Sequence, residues 1–379
     1  MKRDECDMGG LRVRECTDES RSDNAGHQTW IYQVRGLAII AVVICHQQYI
    51  LHTSELVQLL TLYSVTTLVF LMGYTASLSY KKQLSCEGWD LRKYMCKLVP
   101  VIGEYVVATI VYANLFGEHE GNCSNSMLVQ YLLDFSAAQL FYFIQYYISL
   151  ALLFPLMIYL VKKVLTIRII NRIRWIILAS VLGVVGAVGY WMWGTFLYWG
   201  GSYLFVYFFG VIMGYVDMRN LNKYVIGEAG VVICLFGFYS SSVFYRNLVQ
   251  GIYTPSGIDR FVPKFLLNPP NLSIIVYSAG IIMISYFVFE MWNMSKKSFL
   301  LLAVLSSVFE YLGKYSLDIF LWHILLQKVL LKYAIIDSIW LKRIIFYLVQ
   351  FSIPIFGKIL YIRIKKDVSR VLAEEITKR

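Results

Sequence analysis

Arg35 and His46 are the residues of this sequence best placed to do chemistry, because both fall inside the apolar stretch WIYQVRGLAIIAVVICHQQYI at 30–50. Ionisable groups are costly in hydrocarbon, and they persist where a cavity, an ion pair or a reaction uses them. Ten residues separate the two, an advance of eleven positions, which in a helix leaves them about 20° apart in azimuth and about 16 Å apart along the axis. One helix face thus carries a permanent cation suited to anions and an imidazole that exchanges protons near neutrality. The structural alternatives are an arginine that snorkels or pairs with a carboxylate, and a neutral histidine hydrogen-bonded between helices.

Further polar residues lie in other apolar stretches. Glu104 and Asp318 are the carboxylates open to Arg35 as ion-pair partners. Ser316 and His323 are seven residues apart and share one helix face. Gln145, beside Tyr146 and Tyr147, either lines the same cavity or packs between helices.

The elements that must position these residues are membrane spans. Of 379 residues, 58% are hydrophobic and only 16% charged, whereas soluble domains average about 25% charged. A span needs about 20 apolar residues, and ten stretches qualify, near 30–50, 56–80, 98–117, 138–161, 175–195, 200–216, 225–244, 271–290, 317–336 and 341–362. The fold expected is an all-α polytopic bundle of about ten helices. Residues 175–216 hold no charged side chain, yet one helix of that length would reach about 63 Å, twice the hydrocarbon thickness. The chain is expected to fold back near Gly200 and Gly201.

A net charge of +11 raises the question of nucleic acid, and the distribution of the charge answers it. With both termini cytoplasmic, the inner segments hold 27 of the 35 lysines and arginines, while the outer loops 51–55, 117–137 and 196–199 hold none. This is the positive-inside pattern, and it accounts for the charge without a nucleic-acid partner. Lys328, Lys332, Lys342 and Arg343 fit it poorly, so the last two spans carry the weakest topology. The seven cysteines form no C-x-x-C and no His/Cys cluster at metal spacing, so neither a zinc site nor a structural disulfide is expected.

Three units follow: a charged, disordered cytoplasmic tail at 1–29, a membrane domain at 30–363 and a basic cytoplasmic tail at 364–379. The run SFLLLAVLSSVF at 298–309 is too short to span and reads as an interfacial or re-entrant helix. The outer loop 245–270 interleaves Tyr245, Tyr253 and Phe261 with Arg246, Asp259 and Arg260, a pattern suited to a sugar-binding loop or to a plain connector.

The segment VRGLAIIAVVICH (34–46) resembles the first-helix signature of the acyltransferase-3 family of integral membrane O-acyltransferases, an Arg-Gly pair followed by a histidine, with ten residues between the arginine and the histidine. VFLMGYTAS (69–77), KLVP (97–100), FVYFFGVIMGY (205–215), NPPN (268–271) and YLGKYSLDIFLWH (311–323) are similar to further family segments in the family's order. The departures are Tyr32, where an aspartate is usual, Met72 in place of a serine, and Phe141 in place of a tryptophan. Arg92, Lys93 and Lys97 stand where members often carry two arginines.

The resemblance, nearest to the polysaccharide and fucose O-acetylase-like branch, implies a multi-pass enzyme of the cytoplasmic membrane. It implies transfer of an acyl group, usually acetyl, from cytoplasmic acetyl-CoA as co-substrate to a hydroxyl of an envelope saccharide, with no permanently bound cofactor and with polysaccharide-biosynthesis proteins as partners. His46 would act as general base or acyl carrier, and Arg35 would hold a phosphate or the thioester carbonyl, with Arg92 and Lys97 at the cavity mouth. Glu104, Gln145, Ser316, Asp318 and His323 are the further cavity candidates. A transporter or flippase for a saccharide, and a membrane sensor using the charged tail, are the rival readings; no inverted repeat favours the first.

Overall fold

In the computed structural model, residues 21–46, 55–86, 90–116, 124–167, 170–195, 201–216, 222–249, 270–295, 300–333 and 338–378 are described. They form fourteen α-helices and one short 3₁₀ turn, with no strand among the described residues. The helices are α1 (Arg21–Cys45), α2 (Glu55–Thr61), α3 (Ser64–Cys86), α4 (Leu91–Cys96), α5 (Leu98–Phe116), α6 (Asn125–Asp134) and α7 (Tyr142–Thr166). They continue as α8 (Asn171–Thr195), α9 (Ser202–Val216), α10 (Lys223–Val249), α11 (Leu272–Ser295), α12 (Leu300–Lys314), α13 (Ser316–Tyr333) and α14 (Ile339–Lys378).

Each of the ten expected spans corresponds to a helix. Among the described residues, eight segments are long and apolar enough to cross a bilayer. The other two expected spans are α9, which has 15 residues, and α13, which has 18 and carries Asp318, Lys328 and Lys332. The protein is an all-α polytopic membrane bundle, and the outward faces of α8, α10 and α14 present apolar side chains such as Val232, Leu235, Ile344 and Leu348 to the surroundings.

The fold-back expected between α8 and α9 is present. Gly201 takes φ 46°, the left-handed region that glycine enters without a Cβ clash. Gly200 lies outside the described residues. Two helices run past their expected limits. Helicity begins at Arg21, inside the segment expected to be a disordered tail. α14 continues to Lys378, through the expected basic tail. Of the loop expected at 245–270, Tyr245 and Arg246 belong to the end of α10, and residues 250–269, which include Tyr253, Asp259, Arg260 and Phe261, lie outside the described residues.

Glycines set the closest helix approaches. A Cβ on Gly73 of α3 would overlap the Tyr207 carbonyl of α9, and one on Gly210 of α9 would overlap the Phe70 carbonyl of α3. A Cβ on Gly36 of α1 would likewise meet the Phe309 carbonyl of α12, and one on Gly313 would meet the Tyr32 carbonyl. Small residues let backbones meet in lipid, where dispersion rather than the hydrophobic effect holds helices together. The run expected at 298–309 is thus realised as α12, a 15-residue helix packed directly on α1.

Polar side chains add specificity to this packing. Buried Gln33 of α1 donates to Asn293 Oδ1 of α11 at 3.0 Å and to Ser306 Oγ of α12, and Asn293 Nδ2 donates back to Gln33 Oε1 at 3.2 Å. Pro155 in α7 has no N–H for the Ala151 carbonyl four residues earlier. The Tyr94 hydroxyl of α4 donates to that carbonyl at 3.0 Å instead, which fixes α4 against α7.

Candidate active site

His46 stands one residue beyond the last turn of α1, half-buried, with its Nδ1 2.9 Å from the Val42 carbonyl. The same Nδ1 lies 3.2 Å from Nε2 of His323, which is fully buried on α13. His323 Nδ1 in turn lies 2.8 Å from the Phe320 carbonyl and 3.1 Å from that of Ile319. These partners assign the protons. A carbonyl only accepts, so His323 Nδ1 carries hydrogen and, in the neutral ring, its Nε2 presents a lone pair. His46 Nδ1 faces two acceptors and is therefore also the protonated nitrogen, which leaves His46 Nε2 as the free base. Gln327 Nε2 donates to the His46 carbonyl at 3.1 Å and fixes the end of α1.

The helix that carries His323 is itself pinned. Tyr112 of α5 donates its hydroxyl to the Leu321 carbonyl at 3.1 Å and accepts from the Leu325 N–H at 2.8 Å. One phenol thus bridges the two ends of the turn around His323, a side-chain insertion of the kind that fixes a local bend.

Arg35 lies on the same α1 face toward its inner end, where Nη2 donates to Thr75 Oγ1 of α3 at 2.9 Å. The Thr75 hydroxyl donates its own hydrogen to the Leu71 carbonyl at 2.8 Å, so its lone pair is turned to the guanidinium. Arg35 also sits 5.9 Å from the centre of the Tyr32 ring, and Lys314 Nζ lies 5.8 Å from the centre of the same ring. Among the described residues no carboxylate pairs with Arg35, so most of its donors are left for a ligand.

Arg35 and Thr75 open into a cavity of about 790 Å³, within the range of small-molecule sites, about 300–1,000 Å³. Its lining includes Arg35, Lys81, Lys97 and Lys314, together with Tyr147 and Ser316, and among the described residues contains no carboxylate. Lys314 is bonded to Glu310 at 2.8 Å on α12, and that carboxylate holds its ammonium above the ordinary lysine range, so it stays charged at neutral pH. Lys81, Lys97 and Lys314 all belong to segments that the positive-inside pattern is expected to place on the cytoplasmic side.

The sequence-selected residues divide between these two places. Arg35, Lys97 and Ser316 line the cavity, while His46 and His323 meet beyond it and line none of it. Arg92 is exposed on α4, outside the lining, with its N–H bonded to Asp90 at 2.8 Å. Glu104 and Asp318, considered as partners of Arg35 or as cavity residues, are instead gathered by Lys358 of α14, which contacts Glu104 Oε1 directly and Asp318 Oδ1 at 3.2 Å. One lysine on the neighbouring helix thus bridges both carboxylates, and among the described residues neither contacts Arg35. Tyr147 lines the cavity, and Gln145 and Tyr146 do not. Nothing in the sequence distinguishes Lys81, Lys314 or Thr75 as cavity residues, because the lysines look like ordinary positive-inside residues and a threonine has no distinctive spacing. Among the described residues no group of three His, Cys, Asp or Glu side chains could hold a metal ion.

Residues 28–363 match the family model Acyl_transf_3, described as an acyltransferase domain. No curated protein and no solved structure matches the chain. The match runs from Gln28 in α1 to Arg363 in α14, with the histidine pair and the cationic cavity inside it, and the chain belongs to the acyltransferase-3 family of integral-membrane acyltransferases.

Proposed function

We propose that the protein is a cytoplasmic-membrane O-acyltransferase that moves an acyl group, most simply acetyl, from cytoplasmic acyl-CoA to a hydroxyl of an envelope saccharide. The observation that carries this reading is the pairing of two neighbouring parts: a cavity lined by four cationic residues and, among the described residues, no carboxylate, and a histidine pair beyond it with an unprotonated Nε2. Polyphosphate carriers suit the first part, since Arg35 offers a planar fork and Lys81, Lys97 and Lys314 offer point charges. Proton transfer suits the second.

In the step proposed, His46 Nε2 removes the proton of the acceptor hydroxyl as its oxygen attacks the thioester carbonyl. A carbon–oxygen bond forms, the carbon–sulfur bond breaks, and the proton passes from His46 to the departing thiolate, which leaves as free coenzyme A. During the step His46 becomes imidazolium, and the His323 Nε2 lone pair, 3.2 Å away, accepts from its Nδ1–H and stabilises that charge. The bundle interior raises the strength of each of these interactions by excluding water.

The test is transfer of label from acetyl-CoA carrying a radioactive acetyl group, by purified protein in lipid nanodiscs, to a panel of mono-, oligo- and lipid-linked saccharides. Label recovered as an alkali-labile ester on one class names the acceptor. Label on no hydroxyl compound, with donor intact, removes the reading.

A further inference from the structure

The donor cavity and the histidine pair are not continuous. Phe143 of α7 and Phe320 of α13 close the inner wall of the cavity, both buried, with ring centroids 4.5 Å apart. The Phe320 ring faces the cavity on one side and on the other lies 5.9 Å from the His323 ring, roughly edge-on at 60°. His323 then meets His46 with centroids 5.1 Å apart. Phe143 and Phe320 thus stand between the cavity lined by Arg35 and the lysines and the histidine pair. The helix behind Phe320 is held, because Tyr112 bridges Leu321 and Leu325 and the Phe320 carbonyl is engaged by His323. The two rings are the part of this wall that can turn without moving the helix backbone.

We propose that Phe143 and Phe320 form the aperture through which the thioester end of the donor passes from the cavity to His46, and that the space their rings fill beside His323 restricts the enzyme to short acyl chains. This rests on the acyl-transfer reading above. The aperture also separates cytoplasmic water from the base, so that thioester is delivered to the acceptor rather than hydrolysed.

Two measurements test it. In the first, kcat/KM is compared for acetyl-, butyryl-, hexanoyl- and octanoyl-CoA in wild type, Phe143→Leu, Phe143→Ala, Phe320→Leu and Phe320→Ala. The ratio of hexanoyl to acetyl transfer rises about tenfold or more in the alanine variants, the scale on which a few methylenes are discriminated. The leucine variants, which keep the helix packing, fall between. The second needs no activity: Cys45, next to His46 in sequence, is labelled with a small membrane-impermeant maleimide applied to the cytoplasmic side of inside-out vesicles and read by peptide mapping. Labelling is slow in wild type and about tenfold faster in Phe320→Ala. Unchanged chain-length ratios in variants that still transfer acetyl, or equal labelling rates, overturn the aperture. If wild type transfers from no thioester, the acyl-transfer reading falls, and the labelling arm still decides whether these rings form a wall.

Discussion

His46 Nδ1 and His323 Nε2 lie 3.2 Å apart although 277 residues separate them in sequence. The backbone carbonyls of Ile319 and Phe320 fix the proton on His323 Nδ1, and that choice propagates through the pair to leave His46 Nε2 unprotonated. In the proposed step His46 is the residue that touches reactants, and His323 is a positioning residue. Replacing His46 with alanine is expected to lower acyl transfer by about 10²–10⁴-fold. His323→Leu should cost about tenfold to a hundredfold, and His323→Gln, whose amide oxygen still accepts from His46, should recover much of that loss. A glutamine no better than leucine would assign His323 to packing alone.

The pH dependence has a definite sign. His46 acts as its neutral form, so kcat/KM should rise with pH through the titration of the histidine pair and then level off. The acidic limb should disappear as a single titration in His323→Leu and be replaced by one at a different midpoint, because the coupled partner is gone. A profile identical to wild type would contradict the coupling.

The cationic cavity predicts a split between binding and chemistry. Lys97→Gln and Lys314→Gln should each raise KM for acyl-CoA several-fold with little change in kcat, and the effect should shrink at high salt. Arg35→Lys is not a conservative change at a forked site bonded to Thr75, and it should fall well short of wild type. Steady-state kinetics at two ionic strengths checks these outcomes.

Lys358, Glu104 and Asp318 form one partly buried cluster across α14, α5 and α13. Removing the lysine alone strands two carboxylates, whereas neutralising the carboxylates as well removes the liability. The Lys358→Met protein should unfold at a distinctly lower temperature than the triple variant Lys358→Met/Glu104→Gln/Asp318→Asn. Thermal unfolding in detergent, followed by fluorescence, measures the difference.

The eight spanning helices are legible in the sequence because a run of about 20 apolar residues is rare in a chain folded in water and is what a bilayer demands of a helix. The Arg35/His46 face is legible because one helix period relates them. What joins two helices is not. The His46–His323 contact and the Lys358–Glu104 pair link positions 277 and 254 residues apart, and no period in a single chain encodes such a register. Lys358 sits in sequence at the cytoplasmic end of the last span, where charges are expected to be solvated, yet its side chain turns back to two carboxylates. The continuation of α14 past 363 is hidden because polarity marks the end of a span and not the end of a helix. The early start of α1 escapes for a related reason, since Arg21 to Thr29 carry no apolar periodicity although they are helical.

The central claim is that the base beyond the aperture works on a donor held in the cytoplasmic cavity. Proteoliposomes of known orientation, holding a saccharide acceptor and supplied with radiolabelled acetyl-CoA on the cytoplasmic side alone, test it most directly. Wild type should deposit ester-linked label on the acceptor, Arg35→Ala should do so only at much higher donor concentration, and His46→Ala should do so at background rate at any concentration. Equal labelling by wild type and His46→Ala, at matched folded protein, would contradict the account.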